Sequence, residues 1–219
     1  MHNSRRVGYL LDEIVKIVEH KKIFKRNKRS VETKILGVIL YHRRLSYRDT
    51  DRILGVIEPV SYEAVHYWYK QFKELFVVGS KERRAIALDE TKVKLEGKQV
   101  YLWTAVDVDT KEVIAVHLSR TRCGLDTYSF LKKVLRFCDN KPLVIGDKAT
   151  WYPWAIKRLG LQFKHETFGE RNAVEQWYSP FKHRVKRFWR RFPFHSTNTS
   201  ILGWCLSYVV LSMIWRCLF

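Results

Sequence analysis

Leu143-Val144-Ile145-Gly146-Asp147 is a short, wholly apolar run that stops on an acid. Such a run is of the kind buried on both faces in a parallel sheet. An earlier run, Arg84-Ala-Ile-Ala-Leu-Asp89, has the same form and also ends on an aspartate. Between them the periodicity is that of strands. Thr91 to Leu95 alternates polar and apolar, and Glu96-Gly97 is a tight turn. Val100 to Val108 is rich in Val, Tyr, Trp and Thr; Asp109-Thr110-Lys111 is a second turn; Glu112 to Leu118 is a third strand. Three strands with tight turns predict an antiparallel meander. Leu125, Tyr128, Leu131, Leu135 and Cys138 then fall on one stripe at helical spacing. After the 143–146 run, Tyr152-Pro153 opens a helix that closes at Gly160, Pro at a helix start and Gly at its end being the usual asymmetry. Leu161 to His165 reads as a fifth strand, and a long helix follows from about Arg171 to Phe188.

The order is three antiparallel strands, helix, strand, helix, strand, helix. A crossover helix between strands three and four returns strand four beside strand one, in parallel. That is the ribonuclease H-like arrangement of an α/β domain, assigned here to residues 84–219.

Upstream, residues 1–30 form a basic segment in which Lys21, Lys22, Lys25, Arg26, Lys28 and Arg29 crowd together. Residues 31–78 read as three helices. Val31, Ile35, Val38 and Ile39 share a face of the first. Ser46 sits three before Asp49, a capping-box pattern, and opens a short helix ending at Gly55. Ser61 caps a third helix, Tyr62 to about Phe76, with Tyr62, Val65, Trp68 or Tyr69, Phe72 and Phe76 as its apolar stripe. Its other face carries Glu63, His66, Lys70 and Lys73, which suits DNA contact. The outline is a helix-turn-helix, joined to the α/β domain by a linker at 77–82.

The 219 residues hold 41 Lys and Arg against 22 Asp and Glu, a net charge of +19. A charge this large implies a polyanionic partner, nucleic acid first and an anionic membrane surface second. The cysteines, Cys123, Cys138, Cys205 and Cys217, are too far apart in sequence for a CxxC-type zinc site and read as reduced thiols of a cytoplasmic protein. Thr199 to Trp215 is uncharged. A membrane span needs about 20 apolar residues, so this segment reads as a buried helix closing the core of a soluble domain, and no membrane partner is expected.

The carboxylates carry the chemistry. If the 84–88 and 143–146 strands are neighbours, Asp89 and Asp147 project from one edge of the sheet, about 5 Å apart by strand spacing. Carboxylates that close repel unless a cation lies between them, and oxygen-only ligands favour Mg²⁺ or Mn²⁺. A third acid can come from the last helix, where Glu170 and Glu175 are the candidates. Glu175 lies inside that helix, with Tyr178, Lys182 and Lys186 continuing its face. The run Lys182, His183, Arg184, Lys186, Arg187, Arg190 and Arg191 has no acid after it, a pattern suited to DNA phosphates. Phe181, Phe188, Trp189 and Phe192 are interleaved. Asp107 and Asp109 read as turn caps, and Glu90 should point away from Asp89.

With these residues in view, the sequence resembles the DDE transposases of prokaryotic insertion sequences. Ala87-Leu-Asp-Glu-Thr-Lys92 looks like the first-aspartate motif. Gly146-Asp-Lys-Ala-Thr-Trp-Tyr-Pro-Trp-Ala-Ile156 looks like the second. Arg171-Asn-Ala-Val-Glu-Gln-Trp177 with Phe181-Lys-His-Arg-Val-Lys-Arg187 looks like the glutamate helix. The insertion-sequence-six group, in its archaeal form, is the most similar. The interval from Asp147 to Glu175 is shorter than the family pattern, and the shortening is expected in the loop after the fifth strand.

The resemblance covers about residues 31 to 215. It implies a retroviral-integrase-like catalytic fold, a helix-turn-helix that binds element ends, and a triad of Asp89, Asp147 and Glu175. It further implies two Mg²⁺ ions about 4 Å apart that stabilise the attacking and leaving oxygens, with Mn²⁺ able to substitute. Element ends and target DNA are the implied partners, and holding two ends together implies a homodimer or larger assembly. Two other readings compete: a catalytically decayed, transposase-derived DNA-binding protein acting as repressor or inhibitor, and a structure-selective nuclease.

Overall fold

The structure is a computed structural model that describes residues 12–26, 28–95, 98–186 and 198–218. The chain divides into two compact units. One comprises the residues up to Val77 together with those from Gly203 onward; the other runs from Val78 to Leu202.

The first unit is helical. Helix α1 covers 12–20. Helix α2 is Val31–His42, capped by Ser30, whose Oγ accepts the Thr33 N–H at 3.1 Å. Helix α3 is Tyr47–Leu54, and the Ser46 Oγ accepts the Asp49 N–H at 3.0 Å. Helix α4 is Tyr62–Gln71, capped by Ser61 and continued as a 3₁₀ turn over Phe72–Leu75. The sequence reading carries one α-helix to Phe76; its last turn is instead the tighter 3₁₀ form common at helix ends. Ile35, Val38, Leu54, Val65, Trp68, Tyr69 and Phe72 form the core, whereas Tyr62, placed on the apolar stripe, is exposed. Gly37 lets α2 approach closely: a Cβ there would stand 2.9 Å from Leu54 Cδ1.

The second unit is the α/β domain. Strands β1 Ala85–Leu95, β2 Lys98–Asp107 and β3 Val113–Ser119 form the expected antiparallel meander. Helix α5, Gly124–Leu135, precedes β4 Leu143–Gly146; helix α6, Tyr152–Leu159, precedes β5 Phe163–His165. A 3₁₀ turn at Gly169–Arg171 leads into helix α7, Asn172–Lys186, so residues 166–168 alone separate β5 from that turn. The sheet order is β3-β2-β1-β4-β5, with β4 parallel to both neighbours. This is the ribonuclease H-like topology.

Four further details differ from the sequence reading. β1 does not stop at Asp89 but runs on to Leu95, because β2 pairs along it from Ile86↔Asp107 to Leu95↔Lys98. The parallel partner β4 covers Ala85 to Ala87 only, so Asp89 lies where β4 ends and β1 continues. On α5 the buried face is Thr127, Phe130, Leu131 and Val134, and Leu125 is 66 % exposed. Phe130 sets that face by packing on Trp103 and His117. β5 starts at Phe163 because Leu161 completes the α6 cap, its N–H donating to the Ile156 carbonyl at 3.1 Å, with Gly160 at φ +63°. The Glu96-Gly97 turn lies outside the described residues.

The fourth difference concerns domains. Helix α8, Asn198–Leu218, falls by sequence in the 84–219 domain, yet from Gly203 onward it belongs to the helical unit. Trp204 is buried there, its Nε1 donating to the Tyr41 hydroxyl at 3.2 Å, and it stacks on Tyr208. Aromatic packing against α2 and α4 decides the matter, where hydropathy alone could only say that the segment is buried. No helix among the described residues is long and apolar enough to cross a membrane.

Candidate functional site

Asp89 and Asp147 reach one place because β1 and β4 are parallel neighbours in register. Ala87 pairs with Ile145, so two residues further along each strand the two aspartates stand side by side. Asp147 accepts the Ala149 N–H at 3.0 Å, which turns the chain into the loop before α6. Asp89 is held from behind: the buried Tyr178 hydroxyl lies 3.0 Å from the Asp89 carbonyl and 2.8 Å from that of Leu102. Burial raises the pKa of the Asp89 carboxyl; Arg171 and Lys182 oppose that rise, and the Asp147 charge adds to it.

Helix α7 supplies the third acid. Ala173, Val174, Trp177, Tyr178 and Phe181 face the core, which leaves Glu175 on the open side, its side chain 46 % exposed. Tyr178, read from spacing as part of the Glu175 face, is in the core instead. Glu170, the other candidate, is drawn elsewhere by Arg84, whose guanidinium lies 2.6 Å from it. Arg171 bridges the site: one guanidinium nitrogen is 3.2 Å from Asp89 Oδ1 and the other 3.4 Å from Glu175 Oε1. No three His, Cys, Asp or Glu side chains among the described residues converge closely enough to hold a metal by themselves. The donors nonetheless fit a hard divalent cation in kind, being carboxylate oxygens throughout, and a cationic group already stands between two of them.

Glu90 turns away from Asp89, as alternation along the strand requires. Its nearly buried carboxylate accepts from the Tyr152 hydroxyl at 2.8 Å and pairs with Arg122 at 3.3 Å. Arg122 in turn lies over Trp151, 3.9 Å from the ring centroid. Asp107 caps its turn by accepting the N–H groups of Asp109 and Thr110, both at 2.9 Å, and also meets the buried Arg83 at 2.6 Å. Spacing along the sequence gives no sign of that ion pair.

The DNA-contact candidates divide. Lys182 is exposed beside the acids, its Nζ 5.3 Å from the Tyr178 ring centroid. Arg184 and Lys186 lie on α7, but their side chains are outside the described set, as are Arg187, Arg190 and Arg191 altogether. In the helical unit Lys73 is exposed and Lys70 is half-buried. His66 is half-buried too, not on an open face, packing edge-on against Tyr47 at 5.3 Å, and burial lowers its pKa to about 4. The functional candidate that sequence reasoning missed is Arg171. Its signal was present as an i,i+4 pairing with Glu175.

The DDE domain family matches residues 83–216. An uncharacterized protein of Methanocaldococcus jannaschii is 44 % identical over 196 residues, covering 89 % of this chain and 91 % of that one. The transposase for insertion sequence element IS257 in transposon Tn4003 of Staphylococcus aureus is 27 % identical over 147 residues, covering 64 % of this chain. This chain spans 65 % of that relative's length. Among solved structures, the catalytic core domain of BIV integrase aligns with a TM-score of 0.43 at 13 % identity, covering 59 % of this chain and 82 % of that one. The HTLV-2 integrase catalytic core domain in complex with magnesium aligns with a TM-score of 0.43 at 15 % identity, covering 57 % and 86 %.

Proposed function

This chain belongs to the DDE domain family of transposases, and from that membership we propose that it cleaves the ends of a DNA element and joins them to target DNA. The observation that carries the reading is the meeting of Asp89 and Glu175 on one cationic group at the point where Asp147 leaves β4. Asp89, Asp147 and Glu175 would hold Mg²⁺, or Mn²⁺ in its place. A bound divalent cation supplies charge neutralisation at the phosphodiester and activates the attacking oxygen.

The chain's own groups do the rest. Tyr178 fixes the backbone at Asp89, so that carboxylate keeps its position under load. Lys182, exposed on α7, is placed to take a phosphate oxygen next to the acids. Arg184, Lys186, Arg187, Arg190 and Arg191 extend that hold by charge, which positions DNA without reading its sequence. In the helical unit, α4 carries the preference for element ends, with Lys70 and Lys73 meeting the DNA and His66 in a packing role. The chain is read as an archaeal form of the insertion-sequence-six group; the match to the IS257 transposase supports the group. A cytoplasmic, at least dimeric protein acting on double-stranded DNA completes the reading.

The test is nicking of duplexes that carry the element's terminal repeats, with and without Mg²⁺. Asp89→Asn, Asp147→Asn and Glu175→Gln each remove one anionic ligand at nearly constant shape. Each should abolish nicking and leave DNA binding intact. Wild-type protein that binds the ends but never nicks them would favour the decayed, repressor-like reading. A variant that nicks like wild type removes its residue from the site.

A further inference from the structure

We propose that Arg171 is a built-in counter-ion: it holds the cation position between Asp89 and Glu175 until a divalent cation displaces it. This rests on the reading of Asp89, Asp147 and Glu175 as metal-holding acids. Arg171 itself is a positioning residue, acting through those carboxylates.

The geometry separates Arg171 from an ordinary structural arginine. Arg83 supplies the contrast within the same unit. Its guanidinium reaches Asp107 at 2.6 Å, Glu112 at 3.0 Å, the Phe137 carbonyl at 3.0 Å and the Gly79 carbonyl at 3.3 Å. All three of its nitrogens are engaged, and nothing could replace it. Arg171 makes one contact to each of two acids, at 3.2 and 3.4 Å, and its buried Nε has no hydrogen-bond partner among the described residues. It is held by one hydrogen bond to Asp89 and by charge to Glu175, with neither carboxylate gripped by both prongs of the fork. Such contacts are weaker than a bidentate pair.

The stem of Arg171 is fixed while its head is free to leave. The 3₁₀ turn Gly169–Arg171 is tied down by Glu166, whose carboxylate accepts the Glu170 N–H at 2.9 Å. Glu166 is itself anchored, its N–H donating to the Gly146 carbonyl at 3.1 Å, one residue before Asp147. The backbone of Arg171 is thereby registered to the end of β4.

Charge gives the direction of exchange. One guanidinium brings a single positive charge to a site with three nearby acids, one of them carried on a 46 % exposed side chain that can rotate. A divalent ion brings twice the charge in a smaller volume and accepts all three as ligands. Without Arg171, Asp89 and Glu175 would face each other and Asp147 with less compensation, since of the two cations that act on Asp89 the exposed Lys182 would remain. The arginine therefore keeps the acids assembled, and its presence weakens metal binding by competition.

The experiment measures Mn²⁺ binding to the full chain by titration calorimetry, with electron paramagnetic resonance of free Mn²⁺ as a check. Arg171→Gln should bind Mn²⁺ about tenfold more tightly, a difference of about 1.4 kcal/mol. Its melting temperature should fall without metal and return to the wild-type value at Mn²⁺ saturation. Arg171→Lys keeps the charge and should bind Mn²⁺ as wild type does. In wild-type protein the Arg171 Nε–H resonance should move on addition of Mg²⁺, and should not move in Asp89→Asn; this readout does not depend on the Gln variant folding. Equal or weaker Mn²⁺ binding by Arg171→Gln overturns the proposal, as does an Arg171 resonance indifferent to Mg²⁺. If wild type and Asp89→Asn bind Mn²⁺ alike, the acids are not the metal site, and the proposal falls with that reading.

Discussion

Arg83 sits 2 % exposed beneath the start of β1, with Asp107 and Glu112 as its counter-charges. Breaking a buried ion pair by removing one partner is costly, because the other charge stays behind without compensation. Arg83→Met should therefore destabilise the α/β unit by about 3–5 kcal/mol, read from denaturant midpoints at constant slope. A loss under about 1 kcal/mol would place the pair among the weak surface bridges. Titration is set at the same scale. His117 packs on Phe130 and accepts from Lys133 at 2.8 Å; burial lowers its pKa to about 4, Lys133 pushes the same way, and Asp126 opposes. Its ordinary value is 6.5, so between pH 6.5 and 4 the unfolded chain binds more protons than the folded one. Stability is present in full above pH 6.5 and is lost as the pH falls through that window. His66, lowered to about 4 in the helical unit, has the same sign. His117→Gln keeps an acceptor for Lys133 and does not titrate, so its unfolding free energy should fall less than that of wild type between pH 7 and pH 5. Parallel curves for the two proteins would remove His117 as a source of the acid sensitivity.

At the scale of elements, legibility in the sequence followed the strength of the local signal. β4 was readable because four apolar residues between a Pro and an Asp admit few other roles. The three N-caps at Ser30, Ser46 and Ser61 fix α2 to α4 physically, and the last two of them are readable from spacing. β1 reads short because Asp89 and Glu90 interrupt its apolar run. What carries it through is the β2 hydrogen-bond ladder, a non-local cause that no window of sequence contains. The α5 face is misjudged for a related reason: Leu125 fits the spacing, but the ring of Trp103 on β2 decides which side is buried. On α7 Glu175 was legible, whereas Arg171, in the 3₁₀ turn just before it, was passed over: its i,i+4 spacing to Glu175 has little contrast in so basic a chain. The helix makes a prediction of its own. Lys182 lies near Asp89, and Lys186 follows one turn later. Replacing both with Ala should weaken binding about equally for element-end and random DNA. It should also flatten the log–log salt slope by roughly 0.9 for each phosphate that is no longer neutralised. An unchanged slope between low and moderate salt would mean these lysines only solubilise the helix.

For the molecule as a whole, the division of the chain matters more than its length. A net charge of +19 suits a protein that works against phosphate, yet the two units meet that demand with different structures. The α/β unit, Val78 to Leu202, holds the acids and the cations of α7; the helical unit holds α2 to α4 and is completed by α8 from Gly203 onward. Completion is a matter of packing: Trp204 is fully buried against Tyr41 and Tyr69, and Val209, Val210 and Leu211 are buried beside it. The change of periodicity at 77–82 marks one crossing between the units, while the return near Gly203 falls inside an unbroken apolar helix and leaves no such mark. Cutting the protein therefore has two distinct outcomes. A fragment of residues 78–202 keeps every strand of the sheet together with α5 to α7, so it should fold cooperatively and remain monodisperse. It should also lose the preference for element ends over random DNA. A fragment of residues 80–219 keeps the same sheet but carries the α8 face of Trp204, Tyr208, Val209 and Leu211 without the helices that cover it. Removing several such side chains from their partners exposes apolar surface worth about 1.5–3 kcal/mol each, and a patch of that kind drives association. The longer fragment should elute as oligomers in size-exclusion chromatography and bind a hydrophobic dye that the shorter one does not. If the longer fragment is monomeric and dye-silent, α8 does not depend on the helical unit and belongs with the sheet.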